Sequence, residues 1–490
     1  MLTLERLNQC DAQEFVALLD GIYEDSPWVA ARTASARPFT TYAALKHALQ
    51  RTVRQADSAQ QLALIRAHPE LAGAQAAAGT LTRESSAEQA GAGLAPQAGA
   101  DASTEAELTQ LRALNAAYRA RFDFPFVLAV KGHDGRGMPR ATIIATLQRR
   151  LNATPAAEQA ESLRQIGRIA ELRLNQRCAV MPALGAWVLA RCEDLAQASD
   201  TATGLSCPYL GASHHRCALQ LQHWMEEAGL QVERDPIGNV VGRYRSGRPA
   251  AKTLLLGSHY DSVVDAGKFR GRIGILLALA ALRTLLHSGQ GLPFDVEIIG
   301  FADEAGGAYQ DTPLGSSALA GRFDPAVLEQ VAHQGNSLAM ALHTSGPDTT
   351  QTVADTAARI AGLARQPQTL LGFIEIDIEA GTELLEHDLP VGVASSLADG
   401  TRSSAGLTAG LSAAIVRTGL APVALACKVG RQALVLQHLT GVALLLIRCG
   451  NGGISHHPLE IVTADDLDLA AHILIEFLRE LPHDFPIHIG

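Results

Sequence analysis

Two parts of this 490-residue sequence bring together side chains that could do chemistry. The first is "IRAHPELAG", followed by "LTRESSAEQAGAGL". His68 stands directly before Pro69. A residue ahead of proline is pushed out of the α region, so a helix should end at His68 and leave its imidazole free. An imidazole at its ordinary pKa of about 6.5 can take and return a proton at neutral pH. Ser85 and Glu88, three apart, have the spacing of a helix N-cap and its capping-box partner, which on spacing alone is a structural role. The second part is "GSHYDSVVDAGKFRG". There a His259-x-Asp261 pair closes an apolar strand and precedes a Gly-rich turn, the pattern that opens a dinuclear metal site. Eleven residues after His259, where such a site needs a bridging carboxylate, stands Arg270.

The elements that must carry these groups divide the chain in two. "DAQEFVALLDGIY", "TYAALKHALQRTVRQA", "QQLALIRA", "EAELTQLRALNAAYRARF", "RATIIATLQRRLNA" and "EQAESLRQIGRIAELRLNQ" space their apolar residues as helices do. The Ala/Gly-rich stretch 71–102 reads as a loop with one short helix. Periodicity stops around 196–215, where small polar residues gather. Beyond it "NVVGRYR", "KTLLLGSH" and "FDVEIIGFAD" read as strands, with "IGILLALAALRTLLHSG" as a helix between the last two. The expected fold is therefore multidomain: an all-α domain over 1–178, a linker over 179–202, and an α/β domain with a mostly parallel sheet over 203–490. His259 and Asp303–Glu304 then fall at strand C-terminal ends, where sites collect in such sheets.

Bulk properties narrow the function classes. Apolar residues make up 47% and charged residues 18%, a globular composition. A net charge of −10 without a basic stripe argues against nucleic acid and anionic membrane as partners. The seven cysteines are scattered, with no CxxC, and the first residues lack a secretion signal, so the expected compartment is the cytoplasm. The longest apolar run, about 14 residues, is too short to span a bilayer.

Five stretches, "GIYEDSPWVAARTASARPF", "LALIRAHPELAG", "LTRESSAEQAGAGL", "LNAAYRARFDFPFVLAVKG" and "IGRIAELRL", together resemble the OHCU decarboxylase family, in its order, over residues 1–178. That family converts 2-oxo-4-hydroxy-4-carboxy-5-ureidoimidazoline (OHCU) to (S)-allantoin in urate breakdown. The resemblance implies an all-helical, cofactor-free enzyme, usually a homodimer, acting on a small ureide. It implies His68 as general acid/base, Glu88 as the group orienting it, and Ser85 beside them. Gln89, Arg173 and the backbone near Val127 and Leu128 are implied as substrate contacts. The chemistry suits these residue types. The ring can delocalise the carbanion left by CO2, so the enzyme must hold the carboxylate out of plane and deliver a proton to one face.

From residue 203 onward, "HWMEEAGLQVERDPIGNVVGRY", "LLLGSHYDSV", "LPFDVEIIGFADEAG", "LGSSALAGRFD", "LGFIEIDIEAGTELLEHDLPVGV" and "GNGGISHHPLEI" resemble the allantoate amidohydrolase/N-carbamoyl-amino-acid hydrolase group, metallopeptidase-like enzymes holding two divalent ions. By that resemblance His259 and His456 match metal ligands, Asp261 matches the acid orienting His259, and Glu304 matches the general base. Arg270 replaces the bridging aspartate, Ala305 a ligand, Asp377 a histidine and Arg431 a further histidine. An arginine about 4 Å from a dication is repelled by roughly 8 kcal/mol at an effective dielectric of about 20. His259, Asp377 and His456 could still form a three-ligand set for one zinc or manganese ion, but a dinuclear pair is not expected. The group's lid-and-dimerisation insert of more than a hundred residues is also replaced here by about forty. The resulting expectation is a decarboxylase fused to an inactive hydrolase-like domain. The alternatives are a bifunctional enzyme that also hydrolyses allantoate or an N-carbamoyl amino acid with a divalent metal, and a non-catalytic ureide-binding module.

Overall fold

Periodic apolar residues before about 180 fold as helices almost throughout. The structure, a computed structural model, describes residues 2–94, 102–132, 136–180, 183–303, 309, 312–331, 335–345, 352–426, 430–483 and 485. The chain forms two compact units, Met1–Ala186 and Trp187–Gly490.

In the first unit the only β pairing among the described residues is the isolated Lys131–Gly137 bridge. Helix Ser58–Ala67 is capped by Asp57, whose side chain accepts from the Gln60 N–H at 2.8 Å. It ends at His68, held extended at φ −75°, ψ 135° as Pro69 demands. Among its described residues the Ala/Gly-rich stretch contains two short helices rather than one, Ala74–Ala78 and Arg83–Gly91. The second corrects the capping reading. Thr82 is the N-cap, accepting from the Ser85 N–H at 3.3 Å, so Ser85 lies inside the helix and its hydroxyl is available elsewhere. Helix Pro155–Cys178 starts on Thr154 with proline in its first turn. Between these helices the extended "FPFVLAV" segment is buried. Tyr118 packs against Phe122, Phe124 and Phe126 with ring centroids 4.7, 6.0 and 5.4 Å apart. Buried Arg150 then fixes the segment's backbone, donating to the Val127 carbonyl at 2.8 Å and pairing with Glu158.

The expected linker is not a linker. Helix Leu184–Ala196 runs through it, with Val188, Leu189, Cys192 and Leu195 buried. Its apolar face makes it a packed element, and the division between units falls after Ala186.

The second unit is built on an eight-stranded sheet in the order β1-β2-β4-β3-β5-β8-β6-β7. Its strands are β1 (Gln231–Arg234), β2 (Val240–Tyr244), β3 (Thr253–His259), β4 (Asp295–Phe301), β5 (Leu370–Ile378), β6 (Val391–Ser396), β7 (Ala424–Ala426) and β8 (Val442–Ile447). The central β4-β3-β5-β8 run is parallel, and β1, β2 and β6 bring antiparallel pairings toward the edges. Helix Arg272–His287, the longest apolar run, packs on this sheet and against helix Ala464–Glu480. Every residue of β5 is buried, its acidic residues included. A central parallel strand is covered on both sides, so Glu375 and Asp377 are as buried as Ile374, Ile376 and Ile378.

No helix among the described residues is long and apolar enough to cross a membrane. The six described cysteines are buried and unbridged, and Cys427 lies outside the described residues.

Candidate active site

In the first unit a pocket of about 870 Å³ gathers His68, Ser85, Glu88, Gln89, Val127, Leu128 and Arg173. The sequence places these residues more than a hundred positions apart, and the helix ends and the "FPFVLAV" wall bring them together. His68 is only 6% exposed, so its ring lines the pocket without the freedom expected from the helix end. Its Nδ1 lies 2.9 Å from the Leu64 carbonyl. A carbonyl can only accept, so Nδ1 carries the proton and Nε2 keeps the lone pair. Burial pushes the imidazole down to about 4 from its ordinary value. The Leu64 bond and the Glu24 charge oppose that, and Arg173 adds to it. This corrects the expectation of an unperturbed imidazole: His68 is neutral at pH 7.

Arg173 is the hub. Its Nε and Nη2 fork the Glu88 carboxylate at 2.7 and 2.9 Å. Nη1 donates to Glu24 Oε2 at 2.7 Å and to the Gly21 carbonyl at 3.0 Å, and Nη2 also reaches the Ser85 hydroxyl at 3.1 Å. Burial works against the guanidinium's charge, but the Glu88 bond and the Glu88 and Glu24 charges raise its pKa well above the ordinary arginine value. Glu88 therefore holds Arg173 here, and His68 is oriented by a backbone carbonyl instead. Gln89 accepts from the Ala72 N–H at 2.9 Å and donates to the Glu70 carbonyl at 3.2 Å, bracing the turn that follows Pro69. Val127 is pinned by Arg150. Leu128 lines the same pocket.

Sequence reading missed Glu24. It is 3% exposed and also accepts from Thr82 Oγ1 at 2.6 Å and from Ser85 Oγ at 3.1 Å. Burial raises its pKa, but the Thr82 bond and Arg173 outweigh that and lower it overall. Its only sequence signal is an acidic residue in "GIYEDSPW", 61 positions from Ser85, and no local pattern links the two.

In the second unit a smaller pocket of about 240 Å³ is lined by His259, Asp261, Arg270, Arg431 and His456. His259 ends β3, with Nδ1 3.1 and 3.3 Å from the carbonyl and carboxylate of Asp261. Gly271, at φ +71°, lies against this ring; a Cβ there would stand 2.4 Å from the His259 Nε2. Arg270 Nη2 lies 3.1 Å from Asp377 Oδ2, both side chains buried, and Nη1 donates to Ser455 Oγ at 3.0 Å. Asp377 Oδ1 accepts from the N–H groups of Ile378 and Gly271. Glu460 braces the turn from beneath, accepting from the Arg270 and His456 N–H groups. Burial, then Arg270 and His259, push His456 down to about 4.

Among the described residues, this pocket does not assemble a metal centre. Among the described residues no three His, Cys, Asp or Glu side chains converge as a ligand set, so His259, Asp377 and His456 are not brought together as one. The physical reason is Arg270: its guanidinium already occupies Asp377. Glu304 and Ala305 lie outside the described residues.

Residues 8–175 match the OHCU decarboxylase family. A 2-oxo-4-hydroxy-4-carboxy-5-ureidoimidazoline decarboxylase from Haloferax volcanii is 40% identical over 176 residues, 36% of this chain and 96% of that protein. Through its first unit, the chain belongs to the OHCU decarboxylase family. Residues 255–480 match peptidase family M20/M25/M40. An allantoate deiminase from Arabidopsis thaliana is 37% identical over 216 residues, 44% of this chain. The chain spans about two fifths (40%) of that relative's length. The crystal structure of AtUAH in complex with glyoxylate superposes with a TM-score of 0.54 at 16% identity, over 60% of this chain and 96% of that one. That likeness concerns the fold.

Proposed function

We propose that the first unit decarboxylates OHCU to (S)-allantoin. The observation that carries this reading is one pocket holding a neutral imidazole with its Nε2 lone pair available, a guanidinium held between carboxylates, and the Leu128 wall beside them. The substrate carboxylate engages Arg173, and the imidazoline ring lies against the Leu128 backbone. As the C–CO2 bond breaks, its electron pair enters the ring. His68 Nε2 accepts the hydroxyl proton and then returns a proton to the ring carbon from one face, which sets the S configuration. No cofactor takes part in these steps. The test is circular dichroism of freshly generated OHCU incubated with the full chain. Accumulation of (S)-allantoin, unchanged by chelator, supports the reading. Racemic product at the uncatalysed rate overturns it.

We infer further that the second unit does not hydrolyse allantoate. The supporting observation is the Arg270–Asp377 pair, which puts a fixed cation where the hydrolase resemblance implies a bridging carboxylate and metal. Ammonia release from allantoate with added manganese or zinc checks this. A clear metal-dependent rate in the wild-type chain favours the bifunctional reading.

A further inference from the structure

We propose that Glu24 is a positioning residue for the decarboxylation: it keeps Arg173 in place while the substrate carboxylate exchanges with Glu88. The inference rests on the decarboxylase reading above.

A guanidinium has five N–H donors, and all five of Arg173 are engaged by Glu88, Glu24, Gly21 and Ser85. An incoming carboxylate must therefore displace a resident partner. The two carboxylates on Arg173 are not equivalent. Glu24 is 3% exposed, accepts from Thr82 and Ser85 as well as Arg173, and does not line the pocket. Detaching it would leave a buried charge without its countercharge, the costly case. The Glu88 side chain is 28% exposed, lines the pocket, and among the described residues bonds Arg173 alone. Its release costs little, because solvent and the pocket receive it. The Nε/Nη2 edge that Glu88 covers is the bidentate edge a carboxylate fits. Exchange on that edge leaves Nη1 fixed by Glu24 and Gly21, so the guanidinium plane does not turn when its partner changes. The released Glu88 then lies in the same pocket as His68.

The test uses the full chain with Glu24→Gln and Glu24→Asp, read as kcat, KM and the pH profile of kcat/KM, with thermal melts as folding controls. Glu24→Gln is expected to lower kcat/KM about tenfold to a hundredfold, the scale of a displaced positioning group. It should also move the acid limb to lower pH, because the Glu24 charge supports protonation of His68. Glu24→Asp keeps the charge and should recover part of the rate and the wild-type limb. Should Glu24→Gln not fold, Thr82→Val loosens Glu24 without removing its charge and should lower kcat/KM in the same direction, by less. Wild-type rates and an unmoved pH profile in the folded variants overturn the inference and leave the decarboxylase reading standing. A wild-type chain that does not accelerate OHCU decarboxylation overturns both.

Discussion

Arg173 and Arg270 are both buried guanidiniums, with side chains 4% and 7% exposed, and each faces acidic side chains at a pocket. Around Arg173 one carboxylate is buried and one is partly exposed toward the pocket, so a partner can leave while the charge stays balanced. Around Arg270 the partner Asp377 is fully buried, and Ser455 holds the other nitrogen. The first arginine is arranged to receive a guest; the second is itself the guest. A guanidinium nitrogen 3.1 Å from the buried Asp377 carboxylate balances its charge, so the fold accommodates an arginine at this position. Retained architecture and retained activity are separate properties.

The largest effect that could break this contrast is metal affinity. A guanidinium against Asp377 is expected to weaken divalent binding by about six decades relative to a carboxylate-bridged site. Dialysed wild-type protein with added manganese or zinc should show no tight stoichiometric binding by calorimetry. Arg270→Asp should raise affinity without restoring hydrolysis, because the other lost groups act as a unit. Tight binding to the wild-type chain would remove the distinction between the two arginines. Next in size, His68→Ala should lower the decarboxylation rate by about two to four decades, as for loss of a general acid/base. Near-wild-type turnover would reduce His68 to a helix-end residue.

The sequence exposed the elements better than the contacts. Helix spacing located Ser58–Ala67 and Pro155–Cys178, and Pro69 located the bend at His68, because these signals are local. The capping box at Ser85 failed because Thr82, three residues earlier, offers the same hydroxyl to the backbone. The missed helix Leu184–Ala196 is short and lies beside polar residues that read as linker. Gathering His68, Ser85, Glu88, Gln89 and Arg173 in one site came from family resemblance rather than periodicity. Glu24 escaped both, since its bonds to Thr82 and Arg173 span 58 and 149 positions. Burial also moves His68 from 6.5 to about 4, and no residue pattern announces desolvation.

Asp377→Asn sharpens the comparison from the side of stability. It removes the buried carboxylate beside Arg270 while keeping the shape of the side chain. Breaking one side of a buried pair costs roughly 3–5 kcal/mol, so urea denaturation should shift to lower midpoint by about that free energy. Catalysis in the first unit should be unchanged. An unshifted midpoint would mean that Arg270 is not held by this pair.

The smallest expected effect is shared by the two units, and it tests whether burial governs both. His68 in the first unit and His214 in the second are each pushed down to about 4, by burial before any other cause. His214 stacks on Tyr260 with ring centroids 4.3 Å apart, and its Nε2 lies 2.8 Å from the Ala302 carbonyl. In the unfolded chain each imidazole binds a proton near pH 6.5; in the folded chain it does so only near pH 4. Stability from these groups is therefore complete above about pH 6.5, falls as pH drops toward 4, and levels off below. Each contributes a loss of about 3 kcal/mol across that window. Decarboxylation, which needs neutral His68, should persist below pH 6 and fail only near 4 or where the chain unfolds. Replacing His68 by Asn should flatten part of the acid loss measured by denaturation between pH 7 and 4, and His214→Asn should flatten a comparable part. If neither variant changes the slope, the imidazoles titrate at ordinary values, and the neutral tautomer assigned to His68 at the lower end of this window is wrong.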